Sequence, residues 1–227
     1  MKKAIILLSG GLDSATTLYY AKKKGYGVSC LIFDYGQRHR KEIKQAIQVA
    51  KYSQSAYQLV KITLPWKGSA LLDKGMTLPQ DRDIIPDEIP VTYVPARNII
   101  FLSFAASYAE AIGAQDIFIG ANAVDYSGYP DCRPEFYLAY QEAIKRGLKT
   151  GVNGRPIKIH TPLIKKTKAQ IIKLGLRLNV PYQLTWSCYR GAKYPCQKCD
   201  SCLLRWKGFR ELGINDPLSE QIDENRD

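Results

Sequence analysis

No apolar run in the sequence is long enough to cross a bilayer. The longest one, at residues 99–109, is interrupted by Ser103 and Ser107 and falls short of a membrane span. The apolar residues that follow Met1 are too few for the core of a secretory signal, and no small-residue cleavage site comes after them. We therefore predict a cytoplasmic protein that does not bind membranes.

Two common nucleotide-binding motifs are absent as well. The chain contains neither Gly-x-x-x-x-Gly-Lys-Ser/Thr nor Gly-x-Gly-x-x-Gly, which excludes a Walker A loop and a dinucleotide fingerprint. Histidine occurs only twice, at His39 and His160, and neither is near Cys132 in the sequence. Because a nucleophilic cysteine needs a neighbouring base, we do not expect Cys132 to be one.

Acidic side chains are in the minority, with 21 of them against 33 lysines and arginines and a formal net charge of +12. This charge favours an anionic partner, and a nucleotide, a carboxylate substrate and tRNA satisfy it equally well. The 227 residues, 45% of them hydrophobic, are enough to bury one full core. We predict a single domain over 1–227 whose acidic end, 216–227, is a mobile tail.

Apolar strand patterns alternate with helical patterns along the chain. With helices in between, the patterns predict five strands, at 4–8, 27–34, 57–64, 116–121 and 157–160. This alternation is typical of the α/β class, here a doubly wound, mostly parallel five-stranded sheet that binds ligands at the carboxyl ends of its strands. Residues 65–95 hold five of the twelve prolines and predict a lid or binding element, the alternative being a surface insertion.

The most informative stretch is Ser-Gly-Gly-Leu-Asp-Ser at residues 9–14, between the first strand and the first helix. A strand, a glycine turn and a helix expose backbone N–H groups at a helix N-terminus, where an anion is stabilised. The glycines let phosphate oxygens approach the backbone, and Ser9 and Ser14 add hydroxyl donors. We expect Asp13 to cap the helix or to help hold a metal ion. The alternative is an ordinary strand-to-helix turn.

Four of the six cysteines fall in one short window with the spacing C-x7-C-x2-C-x2-C. In a chain without a secretion signal, this clustering indicates a metal site rather than disulfides. Four thiolates complete a tetrahedral zinc shell, so we predict a structural zinc ion in an embedded element at 186–211, with an iron–sulfur cluster as the alternative. We expect the metal to fix the following helix beside the active site. The predicted ligands are Cys188, Cys196, Cys199 and Cys202.

Residues 9–14 resemble the PP-loop of the ATP pyrophosphatases, which holds the pyrophosphate end of ATP while a substrate oxygen attacks the α-phosphorus. From residue 1 to about residue 212, the chain is similar to the queuosine-biosynthesis branch of that family, which makes 7-cyano-7-deazaguanine. Gln197 departs from the pattern, because glycine often follows the second cysteine. The stretches that carry this narrower resemblance lie at 33–39, 94–98, 125–133, 161–163 and 185–202.

The resemblance implies a ligase that uses ATP with Mg²⁺ to convert 7-carboxy-7-deazaguanine and free ammonia into a nitrile, through an adenylated carboxylate and an amide. Either Asp125 or Asp131 is expected to accept hydrogen bonds from the base. Either Arg97 or Arg133, with Asn98 nearby, is expected to pair with the substrate carboxylate. The residues expected to bind ATP are Leu8, Ser9, Gly10, Gly11, Leu12, Asp13, Ser14, Ala15, Thr16, Thr17, Leu18 and Lys165.

Three other functions remain open at this point. A tRNA-modifying enzyme of the PP-loop group fits the charge, although the chain shows no appended RNA-binding domain. A nucleotide sensor on the same fold would bind ATP without releasing pyrophosphate, and a zinc adaptor would leave most of the chain unexplained. We expect no stable nucleic-acid complex, and the apolar residues 99–109 predict a homodimer.

Overall fold

A parallel β-sheet forms the centre of the protein. The structure is a computed structural model that describes residues 1–81, 88–124 and 128–219. The described strands lie in the order β3-β2-β1-β4-β5, and every neighbouring pair is parallel. This confirms the predicted doubly wound, five-stranded α/β sheet. The strands are β1 (Lys3–Leu7), β2 (Gly27–Asp34), β3 (Ala56–Lys61), β4 (Asp116–Ile119) and β5 (Lys158–His160).

Helices connect the strands and cover both faces of the sheet. No helix among the described residues combines the length and the apolar character that a membrane span requires. Two short 3-10 turns, Pro130–Cys132 and Tyr182–Leu184, join longer elements. The helices are α1 (Leu12–Lys23), α2 (Lys41–Tyr52), α3 (Arg97–Ile112), α4 (Pro134–Gly147), α5 (Lys149–Val152), α6 (Lys168–Arg177) and α7 (Asp200–Arg210).

Strand β1 supplies both hydrophobic cores, because its side chains point alternately to the two faces of the sheet. Ile6 belongs to the core that α1, α2, α6 and α7 cover. Ile5 and Leu7 belong to the opposite core, which α3 and α4 cover. A strand that is apolar on both faces is the expected pattern for a buried parallel sheet. It explains why the first strand has a continuous apolar run.

Helix α3 contains the apolar stretch at 99–109, and most of that stretch packs against the sheet. Leu102 and Ala105 are fully buried there. Ile99 and Phe104, by contrast, are 40% and 42% exposed, although the Phe104 ring also contacts Phe33 of β2. The sheet therefore accounts for the buried residues of α3, while Ile99 and Phe104 keep a large exposed surface.

Strand β1 ends one residue before its predicted end, at Leu7, and strands β3 and β4 end earlier still. Strand β3 ends at Lys61, which pairs with Asp34, the last residue of its neighbour β2. Strand β4 ends at Ile119, which pairs with Leu7, the last residue of β1. The apolar pattern runs on beyond these points, but there is no neighbouring strand left to pair with.

The proline-rich segment at 65–95 is fastened to the domain where the structure describes it. The Arg38 guanidinium donates hydrogen bonds to the backbone carbonyls of Ala70, at 3.1 Å, and Met76, at 2.9 Å. Leu71 of this segment lines a cavity at the carboxyl edge of the sheet. These contacts favour the predicted binding element over a loose surface insertion. Residues 82–87 lie outside the described part of the chain.

The mobile tail is predicted to start at Asp216, but the first residues of this segment are bound to the domain. The Asp216 carboxylate accepts hydrogen bonds from Arg205 on α7, at 2.6 and 2.9 Å, and Leu218 is only 3% exposed. A buried ion pair and a buried leucine hold this part of the chain against α7. The rest of the predicted tail, residues 220–227, lies outside the described residues.

Candidate active site and metal centre

The loop between β1 and α1 occupies the point where the strand order of the sheet reverses. The chain passes from β1 outward to β2 and β3, then returns to the other side of β1 for β4 and β5. In open α/β sheets, the crevice at this reversal is where ligands bind. Helix α1 begins there with Gly11 as its N-cap and has no side-chain cap. Its first N–H groups are therefore available to an anion.

Two glycines hold this loop between neighbouring elements. Gly10 has φ +85°, and a Cβ at this position would lie 2.3 Å from the Glu42 carbonyl oxygen. A Cβ at Gly120, just after β4, would lie 2.9 Å from the carbonyl carbon of Asp13. Glycine is not required for packing at position 11, since a Cβ added to Gly11 would make ordinary contacts at 3.5 Å or more. The structure thus gives Gly10 a packing role that the sequence does not reveal.

Ser9 and Ser14 fold the loop into a closed turn. The Ser14 hydroxyl accepts a hydrogen bond from the Ser9 backbone N–H at 3.2 Å and donates one to the Gly11 carbonyl at 3.1 Å. The two hydroxyl oxygens are 3.0 Å apart. Ser14 is buried, whereas Ser9 is exposed. Both predicted hydroxyl groups therefore lie at the loop, where they contact each other.

Asp13 forms an ion pair with Lys168 instead of capping its own helix. The Lys168 ammonium lies 2.9 Å from Oδ1 and 2.8 Å from Oδ2 of Asp13. Lys168 is the first residue of α6, whose capping box between Thr167 and Gln170 fixes the start of the helix. The expectation that Asp13 caps α1 is wrong, since the carboxylate turns toward α6.

Lys168 is a cation at the loop that the sequence analysis missed. It is 9% exposed and lines the cavity, and its aliphatic stem packs against Gly208 of α7, where a Cβ would come within 2.6 Å. Lys165, which the sequence analysis favoured, is exposed and is not among the residues that line the cavity. The first position of α6 was the available signal, because α6, like α1, begins at the carboxyl edge of the sheet.

Only part of the predicted ATP-binding stretch lines the cavity. Leu8, Ser9, Gly11, Leu12, Asp13 and Ser14 do so. The side chains of the next residues are fully buried in α1. Their hydroxyl groups bond within the protein, as Thr16 does to Leu12 and Thr17 to Asp13. The four residues that point away from the cavity are Ala15, Thr16, Thr17 and Leu18.

A cavity of about 280 Å³ opens beside this loop and extends across the carboxyl edge of the sheet. On its far side the first turn of α3 contributes Arg97 and Asn98, and Phe33 and Phe101 form an apolar wall with their rings stacked 4.0 Å apart. One cavity therefore joins the PP-loop, an arginine and a pair of stacked aromatic rings.

Arg97 lies among groups that stabilise its charge. Burial opposes the charged guanidinium, but the surrounding Tyr35, Tyr129 and Asp131 outweigh this and raise the pKa of Arg97. Arg97 therefore stays cationic at any physiological pH. Of the two arginines predicted to meet the substrate carboxylate, Arg97 lines the cavity and Arg133 does not.

Asp131 is hydrogen-bonded to the first turn of α3. Its carboxylate accepts a hydrogen bond from the Asn98 backbone N–H at 3.0 Å, and the Asn98 side chain donates to the Asp131 carbonyl at 3.0 Å. Asp131 is 5% exposed and is not among the cavity-lining residues. Asn98 also donates to the sulfur of Cys132 at 3.4 Å. The other predicted base-binding carboxylate, Asp125, lies outside the described residues.

Glu42 is a second cavity residue that the sequence analysis missed. Its carboxylate accepts a hydrogen bond from the Gln37 side-chain amide at 3.1 Å. Burial raises the pKa of Glu42 to about 7, although Arg97 and Gln37 favour its charged form. The available signal was its place in the first turn of α2, directly after the carboxyl end of β2.

The four clustered cysteines converge on one point. Their sulfur atoms all lie within 4.8 Å of one another, and three of the four residues are buried. The Cys188 sulfur accepts hydrogen bonds from the backbone N–H groups of Arg190, at 3.4 Å, and Cys196, at 3.3 Å. Gln197, which departs from the family pattern, adopts the left-handed φ of 59° that glycine would favour. The predicted cysteine set can hold a metal ion.

The cysteine element forms one wall of the cavity. The Trp186 backbone N–H donates to the Gly10 carbonyl at 2.8 Å, and Ser187 and Tyr189 line the cavity. The Lys41 ammonium lies 3.6 Å from the centre of the Trp186 ring and donates to the Ala192 carbonyl at 2.8 Å. The element thus lies beside the PP-loop, as predicted.

These features define the class of the protein: an ATP-binding protein of the PP-loop type, with its loop at the switch point of a doubly wound sheet. The same fold is present in the NMN synthetase of Francisella tularensis. The two share 16% sequence identity and a TM-score of 0.50, and the match covers 100% of this chain and 78% of the synthetase. At this low identity the likeness shows the fold alone.

Sequence similarity identifies the family within that class. The model of the family described as queuosine biosynthesis protein QueC matches residues 3–213, and the chain belongs to this family. Two relatives, both named 7-cyano-7-deazaguanine synthase, come from Acetivibrio thermocellus and Thermoplasma acidophilum. The first is 57% identical over 96% of this chain and 97% of its own length, and the second is 54% identical over 96% and 91%.

Proposed function

We propose that the protein uses ATP and ammonia to convert 7-carboxy-7-deazaguanine into 7-cyano-7-deazaguanine, the activity for which its relatives are named. The observation that carries this proposal is the single cavity that contains the PP-loop at one end and Arg97 at the other. A carboxylate is inert to ammonia because oxide is its leaving group. An enzyme that joins the two must therefore bring the carboxylate to a phosphorus atom.

The PP-loop supplies the phosphate end of this reaction. The substrate carboxylate attacks the α-phosphorus of ATP, which gives an acyl adenylate, and pyrophosphate leaves toward the N-terminus of α1. Backbone N–H groups and the Ser9 hydroxyl then face the leaving anion. Lys168, held by Asp13, places a positive charge at the same end. Ammonia displaces AMP to give the amide, and a second activation of the amide oxygen allows elimination to the nitrile.

The other end of the cavity suits the deazaguanine. We assign Arg97 to the substrate carboxylate, because a guanidinium matches a carboxylate with two parallel hydrogen bonds. The apolar wall of Phe33 and Phe101 is suited to a flat ring. Asp125 remains the candidate for the base's N1–H and amine, since Asp131 is already used by Asn98.

We propose zinc as the ion of the cysteine cluster and Mg²⁺ as the partner of ATP. Zinc–thiolate bonds of about 2.3 Å in a tetrahedron place the sulfur atoms roughly 3.8 Å apart. The separation of 4.0 Å between the Cys196 and Cys202 sulfurs fits this value. Four thiolates leave no open position, so zinc would stabilise the element without activating water. Asp13 stays a candidate contact for the Mg²⁺–ATP complex.

Mass spectrometry tests the proposed reaction directly. Purified protein with ATP, Mg²⁺, ammonium and 7-carboxy-7-deazaguanine is expected to give the amide and then the nitrile. Ser14→Ala should abolish both products, because Ser14 organises the loop, whereas Ser103→Ala, at an exposed position of α3 that does not line the cavity, is the matched control. A properly folded wild-type protein that binds ATP and leaves the base unchanged would overturn the proposal, and tRNA would become the next substrate to test.

We also propose a cytoplasmic homodimer without a stable nucleic-acid complex. The exposed apolar residues Ile99 and Phe104 on α3 support an association through this helix. Light scattering of the wild type and of Phe104→Glu tests it. The dimer proposal predicts a monomeric variant, and an unchanged mass would contradict it. A gel shift with tRNA at physiological salt is expected to show no complex.

A further inference from the structure

Glu42 is an acidic residue in the cavity, and the reaction steps described above do not use it. It lies in the first turn of α2, and its side chain lines the same cavity as the PP-loop. Its backbone carbonyl lies against Gly10, which keeps this turn of α2 in contact with the loop. Glu42 therefore lies next to the PP-loop, in the cavity that Arg97 also lines.

A hydrogen-bond relay sets the orientation of the Glu42 carboxylate. The Gln37 side-chain oxygen accepts from the Tyr35 backbone N–H at 2.8 Å, so its amide nitrogen points the other way. That nitrogen donates to the Phe33 carbonyl and to Oε1 of Glu42, both at 3.1 Å. Because both the oxygen and the nitrogen of the Gln37 side-chain amide are hydrogen-bonded, Gln37 is fixed in place and orients the Glu42 carboxylate.

In the described part of the chain, Glu42 faces a charged group on α3 and a titratable group just after β2. Arg97 approaches from α3 and favours the carboxylate, while Tyr35 approaches from the end of β2. Arg97 and Glu42 line the same cavity, so a substrate carboxylate paired with Arg97 lies in the cavity that Glu42 also lines. The carbon of that carboxylate is the one that ammonia attacks after adenylation.

Resting on the proposed function, we infer that the Glu42 carboxylate is the general base that accepts a proton from the attacking ammonia. In this step the C–N bond forms and the C–O bond to AMP breaks, with the electron pair leaving on the AMP oxygen. One N–H proton of the ammonia goes to a Glu42 oxygen, and the neutral amide remains. The proton then returns to water before the second activation. Burial keeps the pKa of Glu42 at about 7, so the group can both accept and release a proton near neutral pH.

The test separates adenylation from amide formation. Exchange of labelled pyrophosphate into ATP, measured with 7-carboxy-7-deazaguanine and without ammonia, reports adenylation alone. Glu42→Gln keeps the hydrogen bond to Gln37 possible but cannot accept a proton. We expect this variant to retain pyrophosphate exchange and to form the amide about 100-fold more slowly, the lower end of the usual effect of a general base. Glu142→Gln, on the exposed face of α4, is the matched control.

The pH profile provides a second readout. At a constant concentration of free ammonia, the wild-type rate of amide formation should rise with pH and level off above about 7, where Glu42 is ionised. Glu42→Gln should lose this rise, and Glu42→Asp should recover part of it. Amide formation by Glu42→Gln at the wild-type rate, or with the wild-type pH profile, would overturn the inference. No pyrophosphate exchange in the wild type would instead refute the proposed function itself.

Discussion

Replacing Glu42 by glutamine should stabilise the protein, and increasingly so at higher pH. The fold raises the pKa of Glu42 from 4.5 to about 7 because burial penalises the charge. Between these two values the folded state binds a proton that the unfolded state has lost, so wild-type stability falls as the pH rises. With one pKa unit equal to about 1.36 kcal/mol, the loss between pH 5 and pH 8 is about 2.5 kcal/mol. Glutamine mimics the protonated acid and removes this loss.

Urea unfolding at pH 5, 6, 7 and 8 measures this effect. The free energy of unfolding of Glu42→Gln minus that of the wild type should increase by about 2 to 3 kcal/mol across this range, since each pH unit contributes at most about 1.4 kcal/mol. Taking the difference cancels the other groups that titrate in both proteins. A difference that stays constant within about 0.5 kcal/mol, below half of one pH unit's contribution, would show that Glu42 titrates normally.

Three further predictions concern the loop and the metal element. Gly10→Ala should lose most of its folded protein, because a Cβ cannot fit 2.3 Å from the Glu42 carbonyl, whereas Gly11→Ala should fold; circular dichroism and urea unfolding distinguish them. Lys168→Gln should slow pyrophosphate exchange by about 100-fold, as the loss of a preorganised charge does, and Lys165→Gln should change it by only a few fold. Equal losses would refute the assignment of Lys168. Elemental analysis should find zinc in the wild type and none in Cys202→Ser, with a lower melting temperature in the variant; an unchanged melting temperature would refute a structural role.

The sheet could be predicted from the sequence because its signals are local. The strand at Gly27–Asp34 has the predicted bounds. A continuous apolar run bounded by glycine or polar residues needs no knowledge of the neighbours. The ends of β3 and β4 could not be predicted in the same way. They depend on where the partner strands end, and that is a tertiary property.

The site could be predicted where one motif contains it, as in residues 9–14 and the four cysteines. It could not be predicted where two distant segments meet. Lys168 is 155 positions from Asp13 in sequence, and their ion pair becomes evident only in the folded structure. Asp131 has the charge and the loop position of a ligand-binding residue. The hydrogen bond from the Asn98 backbone N–H to its carboxylate becomes evident only in the folded structure, where α3 lies beside it.

The close fit of Gly10 against α2 and of Gly120 against α1 has a consequence for how the site works and how it can change. A loop that is confined on two sides has little freedom to lose, so the nucleotide should meet a surface that is already in its bound shape. Adjustment to the substrate then falls to the opposite side of the cavity, around Leu71 and the proline-rich segment. For the same reason, the loop is not a transferable module. Moving it into another sheet would require both glycine contacts to move with it.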